Sequence, residues 1–193
     1  NPLSPEFTDN LLRQGLLRRQ WNARLGFVHV ALRARVTSQA RAAGRWSAAH
    51  GACARMLRAH LGRSLFVAER MAGHLEEANQ PGEALEELLR ASRYRSLRSE
   101  YASAERLLRR YEALMVRLGA PARDDRWGPA WIAQARLMRR QRAQGTTELL
   151  GRTLAAAERY GWPRVAAMAS SEAGIVLRDE GAQVDETGRW LER

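Results

Sequence analysis

From Val30 onward, apolar residues recur at helical spacing and are interrupted only by short segments rich in glycine, proline and polar residues. A helix with apolar residues at i, i+3 and i+4 must pack that face against another element. The interruptions NQPG at residues 79–82 and GAPARDD at 119–125 are short, so consecutive helices are expected to be antiparallel neighbours. The pattern predicts an all-α fold, an α-solenoid of antiparallel helical hairpins, with an irregular helical bundle as the alternative.

The predicted helices begin and end at recognisable signals. Gly62 is expected to end one helix, Ser64 to cap the next, and Pro163 to occupy the first turn of another. The predicted helical ranges are 30–39, 40–61, 64–78, 83–97, 99–118, 127–144, 146–160, 163–180 and 184–191.

The segment MAGHLEEANQPGEALEELLRAS, residues 71–92, places small residues where two helices would cross. Ala72 and Ala84 are separated as the small residues of a tetratricopeptide (TPR) repeat are, and small side chains let the helices of a hairpin approach closely. Leu75, Leu88 and Ala91 continue this pattern. Later segments match it in part, at shorter intervals than a standard repeat, through Ala104, Leu108, Tyr111, Leu150, Leu154 and Ala157.

The N-terminal region has a different pattern. Two short extended runs at residues 16–20 and 25–29 flank a polar turn at 22–24, which predicts a small β-hairpin. A short helix capped by Thr8 or Asp9 is expected to precede it and to stop at Gly15. The opening residues NPLSPEF, 1–7, resemble a cloning remnant left by a fusion vector, and we exclude them from the predicted fold.

Positive charge is concentrated in the first third of the chain. All 32 basic residues are arginine, and residues 10–68 contain eleven of them and no Asp or Glu. A chain without lysine cannot contain a Walker A lysine, a Schiff-base lysine or the phosphate-pairing lysine of a kinase. A basic block faces nucleic acid, a membrane surface or an acidic protein. We favour an acidic partner or neighbouring domain, with ordinary solvated charge and nucleic acid as alternatives.

The predicted helix over residues 40–61 carries that charge on one side. Its apolar face is expected to contain Trp46, Ala49, Cys53, Met56, Leu57 and His60. Its opposite, cationic face is expected to contain Arg41, Arg45, Arg55 and Arg58.

The residues that could support catalysis or bind a metal do not form a recognised set. Cys53 is the only cysteine, which excludes an internal disulfide and makes a buried, inert thiol the expected state. His50 and His60 stand ten residues apart, so they are expected to be structural and not a pair of ligands. Asp124 and Asp125 are expected to cap a helix. We therefore predict no catalytic residue, no metal and no cofactor.

Several of these segments contain motifs that resemble those of a known protein family. LLRQGLLRR (11–19) and LGFVHVALR (25–33) match through Phe27, His29 and Leu32, and RWSAAHGACARML (45–57) matches through Arg45 and His50. Together with residues 71–92, they resemble a stretch of large bacterial signalling ATPases of the STAND/AAA type, namely the end of the winged helix, its wing hairpin and the first TPR-like helices. The phosphate-binding motif G-x-x-x-x-G-K-[ST] is absent from this chain.

The resemblance implies a division of the chain and a class of function. Residues 8–38 would form a partial winged-helix segment with its wing hairpin, and residues 39–193 the TPR-like helical repeats. The implied function is a non-catalytic protein-interaction or sensor scaffold in a multidomain bacterial regulator, and any ATPase or kinase activity would lie elsewhere in the parent protein. A nucleic-acid-binding module that uses the arginine-rich third is the alternative.

The implied partner is a protein or an adjacent domain of the same parent chain, and homo-oligomerisation stays open. In a TPR-like hairpin the first helix usually lines the concave face, which here would present Phe66, Glu69, Gly73, Glu76 and Glu77 to a basic peptide or helix, with an ordinary solvated helix face as the alternative. No apolar run approaches the roughly 20 residues that a membrane span needs, so a cytoplasmic location away from membranes is expected.

Overall fold

The computed structural model describes residues 5–20, 25–62 and 64–179, and these residues form nine α-helices, one 3-10 turn and a two-stranded sheet. None of the described helices is long and apolar enough to cross a membrane. In chain order, the elements are α1 (Pro5–Arg13), β1 (Leu17–Arg19), β2 (Leu25–Phe27), α2 (Val30–Ala42), α3 (Trp46–Leu61), the 3-10 turn (Leu65–Val67), α4 (Ala68–Glu77), α5 (Pro81–Leu97), α6 (Tyr101–Arg117), α7 (Trp127–Arg140), α8 (Thr146–Tyr160) and α9 (Pro163–Asp179).

The predicted β-hairpin is confirmed, since β1 and β2 pair antiparallel with Leu17 opposite Phe27 and Arg19 opposite Leu25. The predicted turn at residues 22–24 lies outside the described residues. The predicted start of the first helix is wrong, because α1 begins at Pro5 and includes part of the segment that we had excluded. Proline is well suited to the first turn of a helix, where its missing N–H costs no hydrogen bond.

The predicted single helix over residues 40–61 is wrong at its beginning, because α2 continues to Ala42 and α3 begins only at Trp46. Gly44 lies between them with a φ of +66°. The Gly44 N–H donates to the Arg41 carbonyl, and the Arg45 N–H donates to the Ala40 carbonyl. This left-handed glycine ends α2, because glycine adopts positive φ without the steric cost of a Cβ.

The other predicted helices are present, with shifted ends. α8 coincides with the predicted range 146–160, α5 begins two residues earlier than expected at Pro81, and α7 ends at Arg140 instead of residue 144. Gly62 ends α3 as predicted, and Ser64 precedes the 3-10 turn without a capping side-chain hydrogen bond. The helix predicted at residues 184–191 lies outside the described residues.

The core consists of the small and large apolar residues that the repeat-like pattern singled out. Ala72, Ala84 and Leu88 are fully buried, and they join α4 and α5 to residues of α3, α6 and α7 in one apolar cluster. All of the later pattern residues are also buried: Ala104, Leu108, Tyr111, Leu150, Leu154 and Ala157. The sequence pattern therefore identified the helix-facing positions correctly.

From α3 onward, each helix packs against the next one in the chain. Two further contacts skip a helix, because α5 packs on α7 and α7 packs on α9. The helices α5, α7 and α9 consequently lie side by side and form one face of the molecule. By contrast, α2 contains no buried residue and packs against α3 and β2.

Candidate ligand-binding groove

A groove with a volume of about 470 Å³ lies on the face formed by α5, α7 and α9. Its lining comes from one row of side chains on α5, one row on α7 and Met168 of α9. The apolar lining residues are Leu89, Leu97, Pro129, Ala133 and Met168, and the polar ones are Arg90, Ser92, Arg93, Ser96, Arg136, Arg139 and Arg140. The groove therefore combines an apolar floor with five guanidinium groups.

Buried carboxylates hold two of these arginines in place. Arg90 Nη1 donates to both carboxylate oxygens of Glu87 at 2.7 Å, and Glu87 is buried in α5. Arg136 Nε donates to Glu172 Oε1 at 2.7 Å, and Glu172 is buried in α9. A buried carboxylate requires such a partner, because removing an unpaired charge from water costs several kcal/mol. These two pairs orient the arginines and neutralise them.

Arg139 is held at the edge of the groove by a third acid. Its Nη1 donates to Asp179 Oδ2 at 2.9 Å, which ties the end of α7 to the end of α9. Its Nε is buried and has no hydrogen-bond partner among the described residues. Arg139 also lines a second cavity of about 680 Å³, which lies beside Arg142, Thr146 and Asp179.

Arg93 and Arg140 differ from the other three. Both side chains are exposed, and neither has an ion-pair partner in the part of the chain that the structure describes. Five arginines line the groove, and three of them pair with carboxylates that lie outside its lining, which leaves two positive charges uncompensated. Those two charges stand on opposite walls, one on α5 and one on α7.

The four predicted arginines of the N-terminal third do not share one helix face. Arg41 lies on α2 with its guanidinium 4.7 Å from the Trp46 ring centre, and Arg45 lies in the junction before α3. Arg55 and Arg58 lie on α3, where Arg58 pairs with Glu83 of α5 at 2.8 Å. The predicted cationic face is therefore wrong, because Gly44 separates its members into two helices.

The predicted apolar face of α3 is also wrong in part. The residues that α3 buries are Gly51, Ala54 and Leu57. Met56 is 49% exposed, and His60 is exposed as well. Leu57 is buried as predicted, whereas Ala49 is exposed and the small residues Gly51 and Ala54, which were not predicted, are buried instead.

The predicted acidic face of α4 is engaged within the protein. Glu69 accepts from Arg95 Nε at 3.0 Å, Glu76 Oε1 lies 2.8 Å from Arg110 Nε, and Glu77 accepts from Trp46 Nε1 at 2.6 Å. The Arg110 contact is an ion pair without the alignment of a hydrogen bond. Phe66 is 55% exposed on the preceding 3-10 turn, and Gly73 lies beside Arg110. These acids therefore connect α4 to α3, α5 and α6, and α4 does not line the groove.

A histidine pair was not foreseen. His50 of α3 and His74 of α4 face each other with their Nδ1 atoms 3.3 Å apart, and the His50 ring also contacts the Trp46 ring, with the two centroids 4.3 Å apart. One ring must donate an N–H and the other must accept it, so this contact requires at least one neutral imidazole. Burial lowers the pKa of His74, and the positive charges of His50 and Arg70 lower it further.

Two polar groups around the 119–126 loop have structural roles. The Tyr111 hydroxyl donates to the Arg126 carbonyl at 2.6 Å, and burial raises the pKa of Tyr111 to about 12. Asp124 accepts from the backbone and the guanidinium of Arg126, and the side-chain bonds lower the pKa of Asp124. Asp124 thus organises the turn before α7 instead of capping the helix directly.

Cys53 is half-buried on α3.

The sequence did contain a signal for the groove. Arg90 and Arg93 stand three residues apart on α5, and Arg136 and Arg140 stand four apart on α7, so each pair shares a helix face. What it could not indicate was that α7 packs directly beside α5. Only that contact brings the two arginine rows to the walls of a single groove.

Comparisons of this chain with protein-family models, with curated proteins and with solved structures found no match.

Proposed function

We propose that this chain is a non-catalytic protein-interaction module: a TPR-like α-solenoid from a multidomain bacterial regulator of the STAND type. It presents the face formed by α5, α7 and α9 to a protein partner or a neighbouring domain. The observation that carries the proposal is the packing of α5 on α7 and of α7 on α9, which creates a groove of about 470 Å³ along that face.

The helix contacts support a repeat architecture. In a solenoid, each helical pair contacts its neighbours, and helices two positions apart in the chain line one continuous surface. Contacts between α5 and α7 and between α7 and α9 have this spacing, and buried alanines such as Ala84, Ala104 and Ala157 stand at the seams. Small residues at seams let the helices approach closely, as the sequence pattern predicts.

The chemistry of the groove favours binding over catalysis. Its charged lining is arginine, which stays protonated in proteins and so does not serve as a general base. The carboxylates behind it, Glu87 and Glu172, are buried and bound to Arg90 and Arg136. Fixed positive groups over an apolar floor are typical of recognition sites, where a few polar groups orient a ligand.

The N-terminal region supports the multidomain part of the proposal. It exposes apolar side chains around the hairpin and α2, with Val30 85% exposed and Leu25, Val28 and Val36 also exposed. Exposed apolar residues that lie close together mark interaction surfaces. A winged-helix segment that packs against an ATPase module would cover them in the parent protein.

An unbiased peptide-display selection against the whole chain tests this function. Selected peptides should lose binding to Leu97→Gln, which makes the groove floor polar. They should keep binding to Leu118→Gln, the matched control. Leu97 is 50% exposed at the end of α5 and Leu118 is 40% exposed just after α6, so both variants are expected to fold. If no selected peptide distinguishes the two variants, the groove is not the interaction surface.

A further inference from the structure

We propose that the groove between α5, α7 and α9 recognises an acidic protein segment in which carboxylate side chains flank apolar ones. The carboxylates would pair with Arg93 on one wall and Arg140 on the other, and the apolar side chains would lie on Leu89, Leu97 and Ala133. This inference rests on the proposed function and specifies its ligand.

The charge balance selects an anionic ligand. Arg90, Arg136 and Arg139 already bind Glu87, Glu172 and Asp179, so their positions are set before any ligand arrives. Arg93 and Arg140 are exposed and lack an acidic partner within the described residues. Acidic side chains of a partner would neutralise these two arginines, and such charge complementarity favours specificity and fast association.

The spacing of the lining residues selects a peptide of limited length. On α5, Leu89, Arg93 and Leu97 stand four residues apart and form a row that alternates apolar and cationic side chains. On α7 the lining extends from Pro129 to Arg140, which corresponds to about 16 Å of helix at 1.5 Å per residue. An extended peptide covers that distance with about five residues.

The lining also discriminates between carboxylates and nucleic acid. Single-stranded nucleic acid is bound by basic grooves that contain aromatic side chains on which bases stack. The groove lining contains no aromatic side chain, and three of its five arginines are occupied by carboxylates of the protein. An apolar floor with two available guanidinium groups fits alternating acidic and apolar side chains better than a chain of phosphates.

The test measures fluorescence anisotropy with the whole chain and a fluorescein-labelled peptide, DELFDELF. The matched probe NQLFNQLF replaces each carboxylate with an amide of the same shape, and a labelled oligonucleotide tests nucleic acid. Arg93→Glu and Arg140→Glu should each weaken binding of DELFDELF about tenfold or more, because each removes a charge-assisted hydrogen bond. Arg152→Glu, an exposed arginine of α8 that does not line the groove, should leave the affinity unchanged.

Each outcome supports or overturns the inference. Tight binding of DELFDELF, weak binding of NQLFNQLF and loss in the two groove variants alone support it, provided that circular dichroism shows equal melting temperatures. Equal affinity for DELFDELF and NQLFNQLF overturns the inference. Displacement of DELFDELF by a low concentration of inorganic phosphate overturns it as well. So does binding of the oligonucleotide that is tighter than that of DELFDELF and depends on Arg93. If DELFDELF fails while selected neutral peptides bind in a Leu97-dependent way, only the acidic ligand is wrong. If neither binds, the proposed function fails as well.

Discussion

Gly128 lies at the second position of α7, where the backbone of this helix closely approaches α9. A Cβ added to Gly128 would stand 2.5 Å from both Cγ1 and Cγ2 of Val165. Val165 is buried, and a β-branched side chain in a helix has essentially one favoured rotamer, so it has little freedom to move away. Gly128→Ala is therefore expected to separate α7 from α9 locally or to force Val165 into a strained rotamer.

Two opposing effects determine the size of this change. An extra methyl in a packed interior typically costs about 1–3 kcal/mol. Replacing glycine by alanine in a helix contributes up to about 1 kcal/mol in the other direction. The net expectation is a loss of about 1–2 kcal/mol in the free energy of unfolding, which lowers the melting temperature by about 2–8 °C in a chain of this size.

Gly82 provides the matched control, because it occupies the second position of α5 and an added Cβ there meets no atom within 4 Å. Gly82→Ala is expected to stabilise the protein by a few tenths of a kcal/mol, since only the helix preference operates. Urea unfolding followed by circular dichroism measures both variants. Val165→Ala removes the clashing atoms, so Gly128→Ala should be nearly neutral in that background, with a coupling of about 1–2 kcal/mol.

Either of two results would contradict the proposed clash between Gly128→Ala and Val165. Gly128→Ala could prove as favourable as Gly82→Ala, which would mean that α7 and α9 are not in close contact at this point. Alternatively, the Val165→Ala background could leave the cost of Gly128→Ala unchanged, which would assign that cost to something other than Val165.

Three further predictions concern groups that are fully or partly buried. Leu88→Ala should lower the free energy of unfolding by about 2–5 kcal/mol, because Leu88 is fully buried, and a loss below 1 kcal/mol in urea unfolding would contradict its place in the core. Tyr111→Phe should cost about 1 kcal/mol by removing the bond to the Arg126 carbonyl. In the native protein, the pKa of Tyr111 is raised to about 12, so its contribution to the free energy of unfolding is complete below pH 10 and is lost as the pH rises through 12. Absorbance at 295 nm would follow the ionisation of the tyrosine. The lowered pKa of His74 predicts stability that is present above pH 6.5 and is lost as the pH falls from there through the folded-state value. Thermal melts from pH 8 to 5 should show that loss, and His74→Asn should reduce it; an unchanged slope would exclude His74 as the titrating group.

Much of the helical part of the fold was predictable, because helix formation depends on residues only a few positions apart. The range 146–160 was predicted correctly, and the seam residues Ala72, Ala84 and Leu88 are buried as expected. The errors arose where a local backbone conformation overrode side-chain periodicity. Gly44 divides what the apolar pattern presents as one helix, because its left-handed φ ends α2.

The contacts of the charged candidate residues were less predictable than the helices. Glu69, Glu76 and Glu77 form a plausible exposed row in the sequence, yet each has a partner on another helix. A sequence indicates which residues carry charge, but the identity of an ion-pair partner depends on contacts between distant segments. For the same reason, the pairing of His50 with His74 was not foreseen, although both histidines are evident in the sequence.

By itself, the amino-acid sequence determined most of the helices of this protein, the buried seam residues of the later helices and the small hairpin, because periodicity and turn residues act over a few neighbouring positions. Tertiary structure alone decided that α7 lies beside both α5 and α9, and so placed Arg93 and Arg140 on opposite walls of one groove. The physical reason is that neighbouring helices are chosen by the fit of their surfaces, and that fit involves residues far apart in the chain.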